Sequence, residues 1–288
     1  MSITLFIADL HLDPVRPEIS DLFLEFLAGE AREADALYIL GDLFEAWIGD
    51  DNPDPHHARI ADGLRELADA GTAVYFLIGN RDFLLGEDYA RRAGMTILDE
   101  PVTLDLHGTP TVILHGDVLC TDDLAYQAFR AMVHNPRWQR HFLSLPLEER
   151  RILAGQARRQ SRAPGRSLWK RFRMVAGRPQ LYLPLFQFTA RLAWRHLARF
   201  FGRLGDARPG SRTASTDILD VNDAAVAALF RELDVPRMIH GHTHRPAAHK
   251  LDVDGRPRER IVLGDWYEQG SVLRITEAGA NLVALPLG

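Results

Sequence analysis

The sequence predicts an α/β or α+β fold, and three observations carry that expectation. Short apolar runs alternate with helix-length stretches through the first half of the chain. The chain then closes with several short strand-like runs separated by turn residues. Five polar clusters each stand directly after an apolar run: Asp9-Leu10-His11, Gly41-Asp42, Gly79-Asn80-Arg81-Asp82, His115-Gly116-Asp117 and Gly241-His242-Thr243-His244. Sheets of this class place their sites at the carboxyl ends of strands, so the recurrence is informative.

The elements follow in order. Residues 3–8 read as a strand and 19–33 as a helix. Strand 37–40 precedes a helix at 56–70, and strand 74–78 precedes a short helix at 83–92. Residues 102–106 and 111–114 form a hairpin through His107-Gly108-Thr109-Pro110, whose turn formers interrupt two β-rich runs. Helices are expected at 124–133, 147–159 and 222–233. Short strands at 238–239, 247–253, 260–263, 271–275 and 281–285 complete the chain, with turns at Asp254-Gly255 and 277–280. No internal repeat is visible.

The clusters supply two Asp, one Asn and four His: Asp9, Asp42, Asn80, His11, His115, His242 and His244. Oxygen and imidazole donors without thiolate suit Mn²⁺, Fe or Zn²⁺. Seven such ligands with one shared carboxylate would hold two ions about 3.5–4 Å apart, the arrangement used for in-line attack on phosphorus. A single Asp after a strand is usually a turn former or a helix cap. Single histidines such as His107, His134, His141, His196 and His249 are usually surface residues or satisfied partners. The joint recurrence after five strands is what points to a site. Asp50, Asp51, Asp117 and His240 are candidates for orienting ligands, while Trp47, Trp266 and Tyr267 read as packing.

This set resembles the calcineurin-like metallophosphoesterases. The resemblance implies a sandwich of two packed mixed β-sheets flanked by helices. It also implies that Asp9, His11, Asp42 and His244 hold one divalent metal and that Asp42, Asn80, His115 and His242 hold a second, Asp42 bridging. That family usually has a Gly-Asn-His-Asp or Gly-Asn-His-Glu turn, whose His helps the leaving group depart. Here the position is Arg81. Arginine cannot give up a proton at neutral pH, so it is a poor general acid but a good fixed charge for a phosphate oxygen. The replacement suits a leaving group that needs little protonation, such as either side of a pyrophosphate bond.

Longer stretches resemble one branch of that family, the hydrolases of UDP-linked diacylglucosamine in lipid A synthesis. They are residues 5–12, 36–51, 79–86 (GNRDFLLG), 115–123 (HGDVLCTDD), 126–130 and 239–246. This resemblance implies attack of water on the α-phosphorus of UDP-2,3-diacylglucosamine, releasing UMP and 2,3-diacylglucosamine 1-phosphate. It implies two divalent ions, Mn²⁺ by habit of the branch, and places the chemistry on Asp42, Asn80, Arg81 and His115. Asn80, Arg81, Asp123, Ser161 and His242 are the implied substrate contacts. Arg166 and Arg212 are weaker candidates for the place of two lysines of the branch, because the alignment breaks there. The alternative is a dinuclear phosphoesterase acting on another nucleotide diester or UDP-sugar.

Composition bounds the rest. The chain has 288 residues, 46% of them hydrophobic, enough for a substantial core. One cysteine, Cys120, excludes an intramolecular disulfide and reads as a small buried hydrophobe. The first apolar run ends in Asp9 and His11, so a cleavable leader would remove ligands. No stretch reaches the roughly 18 apolar residues of a membrane span.

Charge is distributed unevenly. Residues 158–212 carry fourteen cations against one acid, Asp206, a local +13 that leaves −18 elsewhere in a chain of formal charge −5. Within this segment Leu185, Phe188, Leu192, Leu197, Phe200, Phe201 and Leu204 recur at helical spacing. Arg191, Arg195, Arg199 and Arg203 repeat every four residues. This is an amphipathic helix with a basic face. One reading packs its apolar side on the core or over the site; the other docks it on an anionic membrane. No nucleic-acid-binding module accompanies the charge, and no nucleic acid is expected as a partner. The expected organisation is one domain over 1–288, with a helical cap at about 122–235 that includes a basic insertion at about 164–211. The expected location is cytoplasmic, peripheral to the inner membrane.

Overall fold

The structure is a computed structural model that describes residues 2–161 and 220–287. The chain divides into two compact units, Met1–Cys120 with Asp220–Gly288, and Thr121–Leu219. The first contains both β-sheets.

One sheet has six strands: β1 (Thr4–Ile7), β2 (Ala36–Leu40), β3 (Ala73–Leu77), β4 (Met95–Leu98), β10 (Gly270–Thr276) and β11 (Gly279–Leu285). Their order is β11-β10-β1-β2-β3-β4. β1 to β4 run parallel, while β10 and β11 form an antiparallel edge. The other sheet contains β5 (Val102–Leu106), β6 (Thr109–Leu114), β7 (Arg237–His240), β8 (Ala247–Val253) and β9 (Arg256–Val262) in the order β5-β6-β7-β9-β8. Its three central strands are parallel and its edges antiparallel. Both sheets are mixed and flanked by helices, as the sequence resemblance implies.

The strand pleat explains how the layers pack. Phe6, Ala8, Leu40 and Leu77 of the first sheet meet Ile113, Ile239, Ile261 and Leu263 of the second in one buried cluster. Leu5 and Ile7 alternate with Phe6 and are equally buried, so β1 is covered on both faces. Each such side chain contributes about 1.5–3 kcal/mol by leaving water. The helices α1 (Pro17–Ala28), α2 (Pro55–Asp69) and α3 (Glu87–Ala93) connect the parallel strands of the first sheet. The second unit contributes α4 (Leu124–Val133), α5 (Pro136–Leu143) and α6 (Leu147–Ser161). α7 (Asp223–Leu233) belongs to the first unit; its Val226 and Phe230 pack with Val112, Leu114 and Met238 of the second sheet.

Several boundaries differ from the sequence expectation for local reasons. The helix expected over 19–33 ends at Gly29, and Glu30–Glu33 forms a separate 3-10 turn. The helix expected from residue 83 begins only at Glu87, because the preceding loop is held by side-chain hydrogen bonds to Asp82 and Asp50. β4 was not foreseen; its four residues gain their partner only from β3. α5 was also missed, although Asn135 caps it and Pro136 occupies its first turn. The expected basic helix around Arg191–Arg203, and Arg166 and Arg212, lie outside the described residues.

Candidate metal centre

All seven clustered candidates project from loops at the carboxyl ends of β1, β2, β3, β6 and β7. The loops are fastened to one another by backbone hydrogen bonds. Asp9 N donates to Gly41 O at 3.1 Å and His11 N to Asp42 O at 2.9 Å. Gly241 N donates to His115 O at 2.9 Å, and Trp266 N to Asp9 O at 3.1 Å. Five of the seven, Asp9, His11, Asp42, His242 and His244, have φ between 49° and 68°. Non-glycine residues avoid this left-handed region, and clusters of such residues mark functional sites. The tight turns aim consecutive side chains inward from the strand ends.

The donor atoms converge in two groups. In the first, His11 Nε2 lies 3.2 Å from His244 Nε2, and Asp9 Oδ1 lies 3.4 Å from His244 Nε2. In the second, Asn80 Oδ1 lies 3.0 Å from His115 Nε2 and 2.8 Å from His242 Nδ1. Asp42 stands between them. Its Oδ2 is 3.8 Å from His11 Nε2, and its Oδ1 is 3.8 Å from His115 Nε2. Asp9, His11 and His244 satisfy the proximity expected of a shared ion, as do Asp9, Asp42 and His115.

The residues fit divalent cations. Asp9 Oδ1 is buried and has no hydrogen-bond partner among the described residues. Such an atom needs a counterpart, and facing imidazole nitrogens supply one only by carrying protons. Burial pushes the Asp42 carboxyl up to about 7; Asp82 and Asp9 add to the rise, and His115 opposes it. Burial would lower His115, but the carboxylates of Asp42 and Asp9 raise it to about 9. Burial drives His242 down to about 3, helped by the charge of His115. Buried carboxylates beside imidazoles form a donor set that a bound cation stabilises directly, displacing the protons it competes with.

Outer contacts orient the rings. His115 Nδ1 donates to Leu40 O at 2.8 Å, which turns Nε2 toward Asn80 and Asp42. His244 Nδ1 lies 3.4 Å from Asp265 Oδ2. His11 Nδ1 lies 3.6 Å from Glu45 Oε2. Asp82 accepts Leu43 N at 2.7 Å and Gly79 N at 2.9 Å, linking the loops that carry Asp42 and Asn80. Glu45, Asp82 and Asp265 were missed as functional by sequence reasoning. Asp82 had a visible signal in its cluster with Asn80, whereas the other two acquire their roles through contacts distant in sequence.

The remaining candidates divide. Arg81 donates its backbone N–H to Asp42 Oδ1 at 2.8 Å, and its side-chain Nε is buried without a hydrogen-bond partner. Asp50 binds Trp47 Nε1, Gly86 N and Tyr89 N, so it braces loops. His240 is buried and donates from Nδ1 to Gly241 O at 2.8 Å, a structural role beside the ligands. Trp47 and Trp266 are packed in the core. Asp123 lies in the second unit, where its carboxylate accepts Tyr126 N at 2.8 Å and caps α4. Ser161 ends α6 and its side chain lies outside the described residues. Cys120 is buried.

A two-layered mixed β-sandwich with acid, amide and imidazole donors at its strand ends defines a class of metal-using phosphoesterase. Residues 4–183 match the calcineurin-like phosphoesterase family, and the chain belongs to that family. A protein of Stenotrophomonas maltophilia strain K279a, named UDP-2,3-diacylglucosamine hydrolase, is 50% identical over 282 residues, covering 98% of each chain. A protein of the same name from Xanthomonas axonopodis pv. citri strain 306 is 47% identical over 284 residues, covering 99% of each.

Proposed function

We propose that this protein hydrolyses the pyrophosphate bond of UDP-2,3-diacylglucosamine in lipid A synthesis. Water adds its oxygen to the α-phosphorus, and the bond from that phosphorus to the bridging oxygen breaks. UMP and 2,3-diacylglucosamine 1-phosphate leave. Two relatives bearing this substrate in their names, each matched along almost its whole length, support the reading. The observation that carries the metal assignment is Asp42, whose two oxygens face two different groups of donors. Asp9, His11, Asp42 and His244 would hold one ion; Asp42, Asn80, His115 and His242 would hold the other. Mn²⁺ suits this oxygen and imidazole set. When bound, two divalent ions ionise a water at neutral pH and offset charge on the phosphoryl oxygens.

The chain's own residues do the rest. Asp42, drawn to Arg81 N and braced by neighbouring loops, is held in one orientation. His242, which burial keeps neutral, presents a lone pair, and His115, oriented by Leu40 O, would present its Nε2 on losing its proton. Arg81 is a permanent cation with a buried, unmatched Nε–H, suited to a phosphate oxygen that gains charge as the bond breaks. Asn80, Asp123, Ser161 and His242 are the further substrate contacts in this reading. The acyl chains require access to a bilayer, which the basic segment at 164–211 supplies by docking on the anionic cytoplasmic face of the inner membrane. Among the described residues, no helix is long and apolar enough to cross a membrane.

The test is UMP release from the substrate in detergent micelles, with and without Mn²⁺, in ¹⁸O-labelled water. Metal-dependent UMP carrying the label is expected. Asp42→Ala is expected to lower turnover by at least 10³-fold while circular dichroism stays unchanged. Turnover of a simple phosphodiester without UMP release from the lipid would transfer the assignment to another diester or UDP-sugar.

A further inference from the structure

Three residues from three loops are assembled around the back of His11. The Tyr267 ring lies nearly parallel to the His11 imidazole, with centroids 5.0 Å apart and an interplanar angle of 8°. The Arg16 guanidinium carbon lies 4.6 Å from the Tyr267 ring centre. Arg16 also donates to the His11 carbonyl at 2.6 Å. Glu45, 4% exposed, places Oε2 3.6 Å from His11 Nδ1 and accepts from the Tyr267 hydroxyl at 3.4 Å. His11 Nδ1 is buried and makes no hydrogen bond among the described residues, and it is this carboxylate that faces it. Phe23 and Phe26 pack edge-on against Trp266, which fixes the loop that carries Tyr267.

We propose that Glu45, Tyr267 and Arg16 are positioning residues that set the ring plane and tautomer of His11, and so the affinity of one of the two cation sites. This rests on the metal reading of His11 given above. Glu45 favours a proton on Nδ1, which leaves the Nε2 lone pair facing Asp9 and His244. The stacked phenol prevents the ring from turning about its Cβ–Cγ bond. Arg16 holds both the phenol ring and the backbone of the left-handed turn at His11. Outer partners of metal-bound histidines typically change affinity by about 10–100-fold when removed.

The experiment is stepwise Mn²⁺ titration of the metal-free full-length protein by calorimetry, with electron paramagnetic resonance to count coupled ions. Glu45→Ala and Tyr267→Ala are each expected to weaken one binding step by about 10-fold or more and leave the other unchanged. Tyr267→Phe keeps the stack and is expected to retain most of the affinity. Glu45→Gln, which keeps an oxygen facing Nδ1 without the charge, is expected to fall between wild type and Glu45→Ala. Excess Mn²⁺ should restore turnover in these variants with KM unchanged. His11→Ala is the control. If it loses one ion while Glu45→Ala and Tyr267→Ala titrate like wild type, the positioning role is wrong and the metal reading stands. If His11→Ala itself binds both ions normally, the metal reading falls as well. Equal weakening of both steps, with a lowered melting temperature of the metal-free variant, would show general loosening and overturn the proposal.

Discussion

His115 joins the two protonation problems of the site. Without a cation it sits between Asp42 and Asp9, whose carboxylates hold its imidazolium up to about 9. Its Nε2 cannot donate a lone pair while protonated. Cation binding must therefore expel that proton at pH 7, together with whatever fraction of Asp42 is protonated by its rise to about 7. The sign follows directly: affinity falls as pH drops, because protons compete for the same atoms. Calorimetric Mn²⁺ titration at pH 7 in buffers of different ionisation enthalpy should show release of about one proton or more per protein. Zero release would mean that His115 is already neutral. Arg81→Lys keeps the charge but loses the fixed fork, and is expected to lower kcat by about 10-fold or more with little change in Mn²⁺ affinity. An equal loss of metal affinity would show that Arg81 serves the donor set rather than the substrate.

At the level of elements, the site depends on how closely the loop after β2 approaches the loop after β3. A Cβ on Gly79 would overlap the Asp42 backbone nitrogen and Oδ1, so no side chain fits there without moving the Asp42 carboxylate. Gly79→Ala is expected to abolish two-ion binding while the strands remain folded, as read by Mn²⁺ titration beside circular dichroism. Asp82 closes the same junction by accepting from Gly79 and Leu43, and removing its carboxylate leaves those amides unpaired. Asp82→Ala should cost about 3 kcal/mol of unfolding free energy, measured by urea denaturation of the metal-free protein. A loss below about 0.5 kcal/mol would show that water replaces the carboxylate. This junction also explains what the sequence revealed. Asp9, Asp42, Asn80 and His115 were legible because each follows a strand and each strand end announces itself locally. β4 and the outer acids Glu45 and Asp265 were not, because a four-residue strand and a distant carboxylate acquire meaning only through partners brought by the fold. The left-handed backbone of five candidate ligands was not legible either, because Asp and His favour that region only weakly and adopt it here through the packing of the loops.

For the whole molecule, the decisive asymmetry is one of charge. A +13 segment is attached to a remainder of −18. In the proposed reading the basic segment is drawn to anionic headgroups. Its Arg191, Arg195, Arg199 and Arg203 lie outside the described residues; their four-residue spacing beside apolar residues at helical spacing in the sequence supports docking. Each basic residue near an anionic surface is worth about 1 kcal/mol, so replacing all four by Gln should weaken vesicle binding by up to about 1000-fold at low salt. The effect should shrink as ionic strength rises and the Debye length shortens to about 8 Å at physiological salt. Co-sedimentation with phosphatidylglycerol-containing vesicles at low and physiological salt measures this directly. The quadruple variant should keep wild-type turnover of substrate in neutral detergent micelles, because the donor set is untouched. It should lose turnover on substrate embedded in anionic vesicles. Unchanged vesicle binding at low salt would leave the arginines as a solvated face and return the segment's apolar side to packing. Loss of turnover in neutral micelles as well would assign the segment to the site itself rather than to the membrane.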